Sequence, residues 1–155
     1  MRVIQMAGPA LDRCNVGVYN CSYLTISDIK SFSELLYILM QGTGAGFSVE
    51  LQYVNQLPPV RRQAGKPPKK MTVVDDTEGW CDALDSGLRA WFNGEDLEFD
   101  YSSIRPAGTR LKTKGGRASG PGPLMELMSF ARNLILSRQG QSLTDIDCQI
   151  GRAHV

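Results

Sequence analysis

Apolar residues in this chain recur with a helical period in some stretches and as short β-branched runs in others, and the two kinds alternate. VGVYNCSYLTI at 16–26 is rich in β-branched and aromatic residues and predicts a buried strand. Ile29, Phe32, Leu35, Leu36, Leu39 and Met40 then keep helical spacing, which predicts a helix over 28–40 with Ser31 and Glu34 as a capping box. Glycines at 42, 44 and 46 follow, and FSVELQYV at 47–54 reads as a strand. MTVV at 71–74 is a short strand, and Trp80, Leu84, Leu88 and Trp91 share one side of a helix predicted over 77–92. LEFDYSSI at 97–104 is extended. Pro123 suits the first turn of a helix whose apolar face is Leu124, Leu127, Met128, Ala131, Leu134 and Ile135 and which ends at Gly140. A last helix is expected from Ser142. Strands alternating with helices imply an α/β fold with parallel strands, because a parallel pair needs a crossover that a helix usually supplies. No internal repeat is visible.

Composition narrows what such a fold does. The 155 residues are one domain's length, and 42% hydrophobic content supports a packed core. A net charge of +1 gives no global attraction to nucleic acid or to a membrane surface. No apolar run reaches the ~18 residues of a membrane span, and the first residues lack a signal-peptide apolar region. Cys14, Cys21, Cys81 and Cys148 form no CxxC pair and there is one histidine, so neither a zinc site nor a disulfide framework is expected. The cysteine usage fits a reducing, cytoplasmic setting. The chain opens on apolar residues and closes within an uncapped helical pattern, which reads as a piece of a longer protein. Residues 150–155 (IGRAHV) match a translated sequencing adapter and are expected to be a non-native tail, so His154 supports no mechanism.

Three features can carry chemistry. GTGAG at 42–46 lacks the context of a dinucleotide fingerprint, which needs strand, glycines and then a helix whose N-terminus holds pyrophosphate. Here the order is helix, glycines, strand. Either it caps a helix and turns tightly, or it lets a substrate lie against backbone amides. The loop at 104–123 carries Arg105, Arg110, Lys112, Lys114 and Arg117 with no acid, interleaved with glycines. It is either an anion cradle or a solvated loop, and its length favours function. A second basic stretch, LPPVRRQAGKPPKK at 57–70, holds four prolines and five cations and marks a loop or insertion. Cys21, between Asn20 and Ser22, is a core cysteine on statistics alone, as are Cys14, Cys81 and Cys148.

Together, AGPALDRCNVGVYNCSYLTI, LLYILMQGTGAGFSVELQYV, EGWCDAL and DYSSIRPAGTRLKTKGGRASGPGPL resemble the monomeric, adenosylcobalamin-dependent (class II) ribonucleoside-triphosphate reductases, over residues 1–149. The resemblance implies a fragment of a ten-stranded α/β barrel. It implies adenosylcobalamin as cofactor, with contacts largely outside this chain, and a thiyl-radical cysteine downstream of Val155. Cys21 would be one of two reducing cysteines, and the other would also lie downstream. Asn20, Ser22, Thr43 and Gly44 would meet substrate. Gly115, Gly116, Arg117, Ala118 and Ser119 would form the specificity loop between substrate base and a deoxynucleotide effector. Residues 57–70 and 75–100 fall where monomeric members carry an insertion that replaces a dimer partner's effector surface. A ribonucleotide substrate, a dithiol reductant such as thioredoxin and a monomeric parent are the implied partners and state, with no metal site, membrane or nucleic acid. The 155 residues alone would be inactive.

Iron-dependent and anaerobic reductases differ in both the glycine and the specificity loops. A reading from another class is a nucleotide- or RNA-binding module using residues 61–70 and 105–117. Such a module stacks bases on aromatics set among its cations, and neither 61–70 nor 105–114 contains one.

Overall fold

The computed structural model describes Asp12, residues 15–111 and residues 116–152. Cys14, Lys112, Lys114, Gly115 and His154 therefore lie outside the described residues. Among those described, two β-α-β units each close a parallel pair. In the first, β1 (Cys21–Thr25) and β2 (Gly44–Ser48) flank helix α1 (Lys30–Met40). In the second, β3 (Lys69–Thr72) and β4 (Leu97–Asp100) flank α3 (Thr77–Phe92). A single helical turn, α2 (Leu51–Val54), joins the units, and α4 (Gly122–Ser137) follows the second. Helix α3 packs against both α1 and α4 and so lies at the centre of the molecule.

Its sequence explains why. Ala83, Leu84, Gly87, Leu88 and Trp91 are buried at helical spacing, and each large side chain among them contributes roughly 1.5–3 kcal/mol on burial. Leu124, Met128, Ala131 and Ile135 form the matching stripe of α4. Asp76 caps α3 by accepting the Gly79 N–H at 2.6 Å, a contact worth about 1 kcal/mol. At the other end the Gly94 N–H bonds to the Trp91 carbonyl and the Glu95 N–H to the Ala90 carbonyl, the two bonds of a Schellman motif. Gly94 is required there twice over. Its φ is +76°, and a Cβ would sit 2.3 Å from the Arg62 carbonyl oxygen.

The helix over 77–92 forms as its spacing predicts. Other boundaries differ, each for a reason of tertiary context. The strand expected over 16–26 shrinks to Cys21–Thr25, and Val16–Val18 wind into a 3₁₀ turn. The strand expected over 47–54 moves back to Gly44–Ser48. Both follow from one register, Cys21 opposite Gly44 through Thr25 opposite Ser48, outside which neither segment has a ladder partner. Glycines 44 and 46 join the strand because β1 supplies the hydrogen bonds, which overrides their low β propensity.

The capping box also fails. Helix α1 starts two residues late, and the Asp28 carboxylate accepts both the Ser31 N–H (2.8 Å) and its hydroxyl (2.9 Å). Glu34 instead faces Lys30 at 3.6 Å. The strand expected at 71–74 begins at Lys69, in register with Leu97. No helix starts at Ser142. Leu143 inserts into the core, and Asp147 accepts from the Thr144 N–H and hydroxyl, each at 2.8 Å, while pairing with Arg138. A short 3₁₀ segment, Asp147–Arg152, takes the place of a helix.

Candidate functional site

Side chains of a strand alternate between faces, and the register of β1 with β2 makes that alternation decisive. Cys21 and Tyr23 lie opposite Gly44 and Gly46 on one face, and all four are exposed. Ser22 and Leu24 lie opposite Ala45 and Phe47 on the other, which packs toward the core. Cys21 is a free thiol. The paired glycine leaves open surface beside it, since a strand residue with a side chain would shade the thiol. At Gly44 the backbone has an ordinary φ, and a Cβ would meet the Asn20 carbonyl oxygen at 3.5 Å, a normal contact. The glycine is thus demanded by neither strain nor crowding within this chain.

Thr43 and Gly44 act on the segment before Cys21. The Gly44 N–H donates to the Asn20 carbonyl at 3.0 Å. Thr43 is 2% exposed, and its hydroxyl lies 3.2 Å from the Val16 carbonyl oxygen and 3.1 Å from that of Tyr19. Asn20 is exposed at the mouth of the strand. Ser22 points away from the thiol face, and its buried hydroxyl finds no partner among the described residues. Of the residues read from the sequence, Cys21, Asn20, Thr43 and Gly44 come together, and Ser22 faces the opposite way. Tyr23 escaped the sequence reading, although two-residue spacing from Cys21 in a strand already puts it on the thiol face.

The described parts of the glycine-rich basic segment, residues 104–111 and 116–123, pair with each other as the two arms of a hairpin. The Gly108 N–H bonds to the Ala118 carbonyl (2.9 Å), the Ala118 N–H to Thr109 (2.8 Å) and the Leu111 N–H to Gly116 (3.0 Å), with Arg110 bridged to Arg117. Its base is fixed where buried Gly120, at φ +76°, comes so close to Ala107 that a Cβ would lie 2.9 Å from the Ala107 nitrogen. One cation of the expected cradle is engaged within the fold. Arg105 is committed to Asp75, donating from Nε to the carboxylate at 2.5 Å and from Nη2 to the carbonyl at 2.9 Å. Arg117 reaches the Gly108 carbonyl at 3.0 Å but remains exposed, beside exposed Gly116 and Ser119 and half-buried Ala118. Residues 57–70 are likewise tied down. Val60 and Leu57 are buried, and the Arg61 and Ala64 N–H groups bond to the carbonyls of Phe92 and Gly94. Lys69 and Lys70 pair with Glu95 (2.9 Å) and Glu98 (3.7 Å).

A family model of the B12-dependent ribonucleotide reductase insertion domain matches residues 59–136. The chain belongs to the B12-dependent ribonucleotide reductase family. The matched span holds the second β-α-β unit, the basic hairpin and nearly all of α4. Among curated relatives, the adenosylcobalamin-dependent ribonucleoside-triphosphate reductase of Euglena gracilis is 35% identical over 131 residues, covering 81% of this chain and 18% of the relative. That of Lactobacillus helveticus is 32% identical over 155 residues, covering 75% and 21%. This chain thus spans about a fifth of each relative. A crystal structure of a B12-dependent (class II) ribonucleotide reductase superposes with a TM-score of 0.77 at 23% identity, covering all of this chain and 29% of the other. The α/β fold is that of a class II reductase.

The relatives' names bring in adenosylcobalamin. Among the described residues no group of three or more His, Cys, Asp or Glu could hold a metal ion. The thiol face offers one cysteine, one tyrosine and strand backbone, which is not a donor set for a corrin, so no residue here is assigned to the cofactor. Among the described residues no helix is long and apolar enough to cross a membrane.

Proposed function

We propose that this chain is the part of an adenosylcobalamin-dependent ribonucleoside-triphosphate reductase that presents one of two reducing thiols, Cys21, to the ribose. The observation carrying this reading is an exposed, unpaired cysteine on a strand whose register partner is glycine, with open surface between them. The net reaction takes the 2′-hydroxyl and two thiols to a 2′ C–H bond, a disulfide and water. Cys21 would give up its hydrogen and form the disulfide with a second cysteine beyond this chain. A dithiol such as thioredoxin then restores the pair by exchange. Bound adenosylcobalamin supplies the radical chemistry that starts the reaction at a third cysteine. Asn20, Gly44 and the neighbouring backbone line the substrate side in a ten-stranded barrel of the whole protein.

The segment Gly115, Gly116, Arg117, Ala118 and Ser119 serves as the specificity loop between the substrate base and a deoxynucleotide effector. Residues 57–70 and 75–100, inside or bordering the matched insertion domain, carry the effector side of that coupling. The whole enzyme works as a cytoplasmic monomer.

The deciding experiment is Cys21→Ser in the full-length enzyme. Deoxynucleotide formation should stop while cleavage of the cofactor's cobalt–carbon bond, followed in its visible spectrum, persists. Normal turnover with a dithiol would return Cys21 to an ordinary surface cysteine.

A further inference from the structure

The geometry points to Thr43 as a positioning residue for Cys21, holding the thiol through main-chain carbonyls rather than touching substrate. The inference rests on Cys21 being a reducing thiol. Its basis is where the Thr43 hydroxyl goes. That side chain is 2% exposed, which keeps its oxygen from a ligand on the open face. Its one proton is shared between the carbonyls of Val16 and Tyr19, at 3.2 and 3.1 Å, more than twenty residues away in sequence.

Those carbonyls belong to the 3₁₀ turn that leads into β1, and the Val16 carbonyl also accepts the Tyr19 N–H that closes the turn. The next residue along, Gly44, grips Asn20 by its N–H and stands opposite Cys21. Side chain and backbone of two consecutive residues therefore clamp residues 16–21. The clamp is anchored in turn to the end of α1, where the Gln41 N–H bonds to the Tyr37 and Ile38 carbonyls. A strand start with no sheet partner before Cys21 would otherwise fray, and reaction rates fall steeply when a reacting group is displaced by about an ångström.

The test uses the full-length enzyme with Thr43→Val, which keeps the shape and removes the hydroxyl, Thr43→Ser, which restores it, and Cys21→Ser as reference. We expect Thr43→Val to lower kcat roughly tenfold or more with KM unchanged, and Thr43→Ser to recover most of the loss. Amide hydrogen exchange at residues 19–21 should quicken in Thr43→Val without a shift in the global unfolding midpoint. A rise in KM at unchanged kcat would make Thr43 a substrate contact and overturn the inference, as would wild-type kinetics in Thr43→Val when Cys21→Ser is dead. Turnover by Cys21→Ser would instead remove the reading on which the inference rests. Should Thr43→Val not fold, Thr43→Ser against Thr43→Ala decides: activity in the first alone supports the clamp, and equal activity overturns it.

Discussion

Arg132 on α4 forks onto Asp96, the residue just before β4, with Nε donating to one carboxylate oxygen at 2.9 Å and Nη2 to the other. The same Asp96 also accepts the Trp91 indole N–H at 3.1 Å and the Leu97 N–H at 3.0 Å. One carboxylate therefore joins the end of α3, the start of β4 and the middle of α4.

The hydrogen bond from Arg132, chiefly, holds the Asp96 carboxyl below its ordinary value of 3.8. A carboxyl with a lowered folded value stabilises the fold fully above its unfolded value and loses that contribution as pH falls through the folded one. Asp96→Asn should cost about 1–2 kcal/mol at neutral pH, given the partial exposure of the pair. Its stability should also fall less than wild type between about pH 5 and pH 2. Urea unfolding across that range measures both, and parallel curves would contradict the assignment.

Gly94 and Gly65 both have positive φ, but only Gly94 is crowded, because nothing lies within 4 Å of a Cβ at Gly65. Gly65→Ala should cost about 1 kcal/mol for the left-handed backbone alone. Gly94→Ala should cost clearly more, on the order of 3 kcal/mol, since the Arg62 carbonyl must also move. Denaturant midpoints of the two variants give the comparison, and equal losses would mean that the contact with residue 62 relaxes freely.

The cysteines should separate by alkylation. Cys21 is exposed, whereas the Cys148 thiol is buried and pushed up to about 12 by desolvation, with Asp147 and Asp145 adding to it. At pH 8 only about one Cys148 in ten thousand is thiolate. Peptide mapping after brief iodoacetamide treatment should find Cys21 modified at least ~100-fold faster than Cys148, with the difference vanishing in denaturant. Equal rates in the native state would contradict the burial of Cys148.

Two arginines of the basic segment should behave differently. Arg105 is bound to Asp75, so Arg105→Ala should lower stability, by about 1 kcal/mol. Arg117 is exposed on the hairpin, and in the full-length enzyme Arg117→Ala should flatten the effector-dependent choice among substrates more than the maximal rate. A coupling of roughly 1–3 kcal/mol is at stake. Substrate competition with each deoxynucleotide effector reads it, and an unchanged preference pattern would remove the specificity role.

By itself the sequence determined where apolar faces and punctuation fall. The span of α3, its central face of Leu84, Leu88 and Trp91, the Pro123 start of α4 and the alternation that makes the fold α/β all follow from local spacing, which short-range physics reads directly. The motifs around Cys21, the glycines and the basic loop were equally legible as a family resemblance, because they are contiguous. Only the tertiary structure decided how far each strand runs, since a strand ends where its partner ends, and each residue of 21–25 pairs with one 23 positions further along the chain. It also decided which polar groups are engaged. Asp75 binds Arg105, Asp28 displaces a capping box, and the Thr43 hydroxyl turns inward to Val16 and Tyr19. A charge or hydroxyl shows its type in the sequence, but its partner is set by which segments the packed core brings within about 3 Å.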